Sequence, residues 1–132
     1  MIVGIGTDIM DIDRIKKTIE QYGDVFLNKY FTNEEQDYAK SKPAKMVQSL
    51  ASSWATKEAV SKALGTGIRD DVTLKSIGLY RNENGAPSVV LSGGADKKAL
   101  DLCGDTGYKC FVSISHDKNI VNAFVVLERK YV

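Results

Sequence analysis

The chain has 132 residues, of which 43% are hydrophobic and 27% charged, with a formal net charge of +1. That size and balance fit one soluble domain, residues 1–132, with a single modest core. Near-zero net charge gives no overall pull toward nucleic acid or an anionic membrane, and no run approaches the ~20 apolar residues of a membrane helix.

The opening, "MIVGIGTDIMDIDRI", has no basic segment and turns acidic quickly, so it is not expected to be a signal peptide. Two cysteines, too few for a disulfide framework, imply reduced thiols and a cytoplasmic location. "IVGIGTDI" alternates: Val3, Ile5, Thr7 and Ile9 share one side of a strand, and Ile2, Gly4, Gly6 and Asp8 share the other. The two glycines serve either close packing or the approach of a ligand or metal. The spacing is not the dinucleotide fingerprint, because Ile9 stands where the third glycine is required. Asp8 ends the glycine side, as a turn residue or as a ligand.

"DIDRIKKTIEQYG" predicts a helix with Asp11 as N-cap, Ile12, Ile15, Ile19 and Tyr22 at helical spacing, and Gly23 as the stop. Arg14, Lys16 and Lys17 form a local basic patch, either a solvated face or a dock for an acidic partner. "FLNKYF" reads as a short helical turn. Thr32 and Glu35 have capping-box spacing at the head of another helix. Pro43 breaks the chain, and Lys42 and Lys45 beside it read as solvated.

The longest helical pattern runs from about Ala44 to Leu64. Its stripe is Val47, Leu50, Ala51 and Trp54, then Glu58, Ser61 and Lys62, with Ala55, Ala59 and Ala63 alongside. Glu58 and Lys62 could be an ordinary i,i+4 surface pair. The stripe, however, points Glu58 toward the interior or a cleft, where a carboxylate requires a cation. Asp8 and Glu58 together would suit Mg²⁺, which prefers oxygen ligands and completes its shell with water and phosphate, and the nearby Lys62 also suits phosphate chemistry. "GTG" ends the helix.

The second half is β-rich. "VTLKSIGLYR" and "PSVVL" flank a hairpin turn at Asn84–Gly85, "GADKKALDLCG" is a short helix, and "KCFVSISH" and "NIVNAFVVLERK" form a second hairpin around Asp117 to Asn119. His116, the one histidine, follows Ser113 and Ser115 at a strand end and is structural or phosphate-binding. Cys103 and Cys110 lack metal-ligand spacing and read as reduced, small core residues. The fold class is α+β, a small, mainly antiparallel sheet packed against helices that include one long central helix.

Two segments, "GIGTDIMDIDRI" and "WATKEAVSKALGTG", resemble the signature motifs of the phosphopantetheinyl transferases. The length and the ending "VSISHDKNIVNAFVVLE" are similar to the bacterial holo-[acyl-carrier-protein] synthase branch. The resemblance implies the 4′-phosphopantetheinyl transferase-like fold and transfer of 4′-phosphopantetheine from coenzyme A to a serine of apo-acyl carrier protein, in support of fatty acid biosynthesis. It implies Mg²⁺ held by Asp8 and Glu58, with Glu58 also helping to remove the serine proton. Lys62 would contact the coenzyme A phosphates, and Gly65, Thr66 and Gly67 would lie near the nucleotide. Ser115 and His116 would bind coenzyme A from the neighbouring subunit of a homotrimer. The acidic carrier protein would dock on Arg14, Lys16 and Lys17. Ser53 stands where the family often has Arg, Trp54 where it often has Phe, and Gln21 and Asp24 lie where it tends to be basic. Lys57 belongs to the motif, but no role beyond support follows for it. Two other readings are a Mg²⁺-dependent phosphohydrolase and a non-enzymatic assembly domain.

Overall fold

The structure, a computed structural model, describes residues 1–131. Strand β1 (Ile2–Asp11) runs directly into helix α1 (Ile12–Tyr22). The Asp11 side chain caps α1 by accepting from the Asp13 amide at 2.9 Å, and Gly23, at φ +56°, ends it. Helix α2 (Asp24–Tyr30) follows, then α3 (Asn33–Ser41), whose Thr32–Glu35 capping box forms as expected. Pro43–Lys45 make a single 3-10 turn ahead of the long helix α4 (Met46–Ala63).

A second 3-10 turn, Leu74–Ser76, leads into the hairpin of β2 (Ile77–Arg81) and β3 (Pro87–Leu91). The first half of the expected strand "VTLKSIGLYR" is therefore a turn. Thr73 and Ser76 cap each other there and favour a tight bend over an extended chain. Helix α5 (Gly93–Cys103) precedes the long hairpin of β4 (Tyr108–Asp117) and β5 (Ile120–Arg129).

The strands form two separate antiparallel sheets, β1-β5-β4 and β2-β3. In the larger sheet one face carries Val121, Ala123, Val125 and Leu127, all buried. Helix α4 lies across that face, and the approach is close because β1 offers glycines there. A Cβ on Gly4 would sit 1.9 Å from the Ala63 carbonyl oxygen, and one on Gly6 would sit 1.8 Å from that of Ala59. Both distances are far inside any non-bonded contact, so the two glycines serve helix packing and not a ligand. Ala51, Ala55 and Ala59 on α4 are fully buried. Buried hydroxyls in the helix are satisfied by its own backbone: Ser52 donates to the Gln48 carbonyl at 3.0 Å and Thr56 to that of Ser52 at 2.8 Å. Cys103 joins the core, Cys110 packs against it, and both are free thiols. Burial pushes the Cys110 thiol up to about 12, so it behaves as a small hydrophobe.

Candidate active site

Helix α4 is buried nearly all round, and its less buried edge is the line Trp54, Glu58, Lys62. These residues are four apart and stack on one side of the helix. Trp54 anchors the edge in an aromatic cluster, with ring centroids 5.7 Å from Phe26, 5.5 Å from Tyr30 and 6.1 Å from Phe31. One turn on, Glu58 is half-buried, and Lys62 follows in solvent.

Lys62 does not pair with Glu58 along the helix surface. Its ammonium crosses to β1, donating to the Thr7 carbonyl at 2.8 Å and to Asp8 Oδ1 at 3.2 Å. Asp8 sits on the glycine side of β1, so the close glycine contact brings its carboxylate beside α4. Burial, then the negative charge of Asp8, raises the Glu58 carboxyl above its usual range, and Lys62 offsets this in part. Two carboxylates and one ammonium thus meet at the partly exposed edge, or cleft, where α4 crosses β1.

That donor set fits Mg²⁺. Both protein ligands would be hard carboxylate oxygens, and among the described residues no third Asp, Glu, His or Cys joins them to complete a metal cage. A zinc site would require three or four such side chains, whereas Mg²⁺ keeps waters and takes substrate phosphate oxygens.

The other expected residues lie around this cleft or away from it. Gly65 and Gly67 take positive φ, +81° and +67°, and the Thr66 and Gly67 amides both return to the Ser61 carbonyl, at 3.2 and 3.1 Å, closing α4. Thr66 lines a 230 Å³ recess that also holds Arg69, Lys97 and Lys98. Ser115 and His116 are exposed on β4, the strand farthest from β1. Register pairs Ser115 with Asn122, and Asn122 with Ile9. Ser115 therefore faces away from α4, about 10 Å across the sheet from β1. A single chain does not bring Ser115 to Asp8 and Glu58. Arg14, Lys16 and Lys17 are all exposed on α1. Beside them, between α1 and α2, a 380 Å³ groove is lined by Thr18, Tyr22, Val25, Phe26, Lys29 and Tyr30.

Sequence reasoning missed two features. Lys42 and Lys45 are exposed, as expected, and with Arg81 they also ring a 180 Å³ recess against Gln48, Ser49 and Ser52 of α4. The buried Arg81 Nε has no protein partner there. Lys57, for its part, is fully buried and bonded to Glu35 at 2.6 Å, so the charge at the centre of the motif is structural in location. The Thr32/Glu35 capping signal was readable, but its second use as a counter-ion 22 residues away was not.

The family model of the 4′-phosphopantetheinyl transferase superfamily matches residues 4–119. Holo-[acyl-carrier-protein] synthase of Gluconobacter oxydans is 43% identical over 131 residues, covering 97% of this chain and 83% of the relative. That of Clostridium perfringens is 42% identical, covering 99% and 97%. Among solved structures, the synthase of Neisseria meningitidis superposes with a TM-score of 0.83 at 37% identity, covering 97% and 99%. The Helicobacter pylori synthase, solved in complex with coenzyme A, gives 0.79 at 31% identity, covering 94% and 99%. The chain belongs to the 4′-phosphopantetheinyl transferase superfamily, in its holo-[acyl-carrier-protein] synthase branch.

Proposed function

We propose that this chain transfers the 4′-phosphopantetheine group of coenzyme A to a serine hydroxyl of an apo-acyl carrier protein, releasing adenosine 3′,5′-bisphosphate. The observation that carries the reading is the meeting of Asp8, Glu58 and Lys62 in one cleft, in a chain similar along its whole length to synthases of that name.

The serine oxygen attacks the phosphorus of the pantetheine arm, the bond to the bridging pyrophosphate oxygen breaks, and the bisphosphate leaves with the electron pair. A serine hydroxyl is a weak nucleophile at neutral pH. Glu58, its carboxyl shifted upward, is a better proton acceptor than an ordinary surface glutamate and would take the proton directly or through a water. Lys62 is long, exposed and already turned toward Asp8, so its ammonium can move onto phosphate oxygens. Asp8 and Glu58 would hold Mg²⁺, which would supply charge stabilisation for the pyrophosphate as it separates. The recess of Lys42, Lys45 and Arg81 carries three cations and suits the coenzyme's 3′-phosphate.

Arg14, Lys16 and Lys17 stand beside the α1–α2 groove, where Tyr22 and Val25 are exposed. A basic rim next to an apolar groove suits an amphipathic, acidic segment of the carrier protein. A homotrimer accounts for the outer face of the larger sheet. Ile5, Ile9, Phe111, Ile120 and Phe124 are all exposed on it, at 60% for Ile5 and 68% for Ile9. Contiguous large apolar side chains on a sheet face require cover. Copies of the chain closing over that face would bring one copy's Ser115 and His116 to another's cleft.

The test is mass spectrometry of apo-acyl carrier protein incubated with the chain, coenzyme A and Mg²⁺. The expected result is one phosphopantetheine adduct that requires the metal. Release of the bisphosphate with no carrier protein present would instead indicate a phosphohydrolase.

A further inference from the structure

Lys57 is the one charged motif residue for which the cleft provides no use, and its ammonium is bonded on all sides within the protein. Its side chain is 0% exposed, as is that of Glu35. The ammonium donates to Glu35 Oε1 at 2.6 Å, to the Leu74 carbonyl at 2.9 Å and to the Ile77 carbonyl. An ammonium has three protons, and all three are placed. Glu35 is equally occupied: Oε1 also accepts from the Thr32 amide at 2.9 Å, and Oε2 accepts from the Leu79 amide at 3.0 Å. The face of the Phe31 ring lies 5.6 Å from the ammonium. One ion pair thus ties the head of α3 and the entry and first residues of β2 to the middle of α4.

The other side of α4 is held differently. There Ala59 and Ala63 lie on Gly4 and Gly6. Such a contact permits very close approach and is itself smooth. The rotation of α4 is therefore set by its larger side chains: Leu50 and Val60 in the core, Trp54 in its aromatic cluster and the bonded Lys57. Lys57 and Glu58 are adjacent and point about 100° apart around the axis. Fixing one direction therefore fixes the other, and with it Lys62 one turn on. The same tie holds β2 against α4, and Arg81 of β2 faces Gln48, Ser49 and Ser52 of α4 across the cationic recess. Setting the registry of packed elements is the best-attested use of a buried ion pair.

We propose that Lys57, through its buried bonds to Glu35, Leu74 and Ile77, is a positioning residue that helps set the rotation of α4 and so aims Glu58 and Lys62 at Asp8. The proposal rests on the reading of that cleft as the transfer site. The tests are Lys57→Met and Glu35→Gln, assayed for turnover per folded molecule at a temperature where far-ultraviolet circular dichroism shows an intact fold. Trp54, the chain's one tryptophan, lies on the same edge as Glu58 and reports helix rotation through its emission. The expected result for Lys57→Met is a shifted Trp54 emission and a fall in kcat of about a hundredfold, the scale of a small misplacement of reacting groups, with the KM for carrier protein unchanged. Glu35→Gln, which keeps an acceptor for Leu79, should change both readouts in the same direction by less. It carries the test alone if Lys57→Met does not fold. Wild-type turnover and emission in a folded variant would overturn the proposal. Absence of transfer by the wild-type chain would overturn the assignment of the cleft instead, while Trp54 emission still reports on Lys57.

Discussion

Glu58 carries two loads at once: it is half-buried on α4 and it faces Asp8. Glu58→Gln should abolish transfer while leaving the fold intact, as read by the mass of the carrier protein and by circular dichroism. Its effect on stability without Mg²⁺ has a defined sign. The folded state holds the Glu58 proton more tightly than the unfolded state does, so stability is fully present below the ordinary carboxylate range. It is lost as pH rises through the elevated folded value. Glu58→Gln removes this dependence. Metal-free melting curves should therefore show the variant at least as stable as wild type at neutral pH, and a lower midpoint for the variant there would contradict the assigned environment. Strand alternation and the helix stripe put Asp8 on the glycine side and Glu58 toward a cleft, but they left a turn residue and a surface ion pair equally open. Only the family resemblance decided for a joint role of Asp8, Glu58 and Lys62, and β1 runs on past Asp8 to Asp11 instead of ending there. The place of Lys57 was not legible. Periodicity says that it lies off the Glu58 line, but burial of a lysine depends on a carboxylate and two carbonyls contributed by distant segments. Truncating it as Lys57→Met should cost about 3–5 kcal/mol in chemical denaturation, because Glu35 is left charged and buried.

At the scale of elements, the active cleft depends on how closely α4 can approach β1. Gly6→Ala places a methyl 1.8 Å from a main-chain oxygen, and neither helix nor strand can yield without breaking other contacts. Overpacking of a core costs about 1–3 kcal/mol, and a clash with backbone belongs at the upper end or beyond. Urea unfolding should show that loss, and a neutral effect would mean the two elements are not in contact as described. Most elements could be read from capping and periodicity: Asp11, Thr32 and Gly23 each mark a boundary that the structure keeps. What β1's glycines accommodate could not be read from them. The pattern Gly4, Gly6, Asp8 fits a ligand as well as a helix, and only the crossing of α4 at Ala59 and Ala63 decides it. The turn at Leu74–Ser76 was misread as strand, because apolar alternation through "VTLKSI" outweighed the reciprocal Thr73–Ser76 cap.

For the molecule as a whole, the larger sheet has one face filled by α4 and the other bare. Alternation in "IVGIGTDI" and "NIVNAFVV" separated the two faces in the sequence, yet both faces carry apolar side chains, so nothing local says which meets the core. A trimer built on the bare face is expected to disperse on charge insertion. Phe124→Glu should give a smaller species by light scattering and lose transfer with it. If Phe124→Glu keeps the wild-type mass and activity, the face is not the interface.

The placement of Ser115 and His116 on the strand farthest from Asp8, with Ser115 on the opposite face, has a genetic consequence. If each catalytic set is divided between two chains, two dead proteins can be complementary. A Glu58→Gln chain retains a good Ser115–His116 segment, and a chain altered at His116 and Ser115 retains a good cleft. Unfolded together and refolded as a mixture, they should recover transfer that neither shows alone, because some junctions pair the intact half of one with the intact half of the other. A defect in one copy of such a protein is then not simply recessive: mixed assemblies dilute it, and their output depends on how the copies are arranged around the ring.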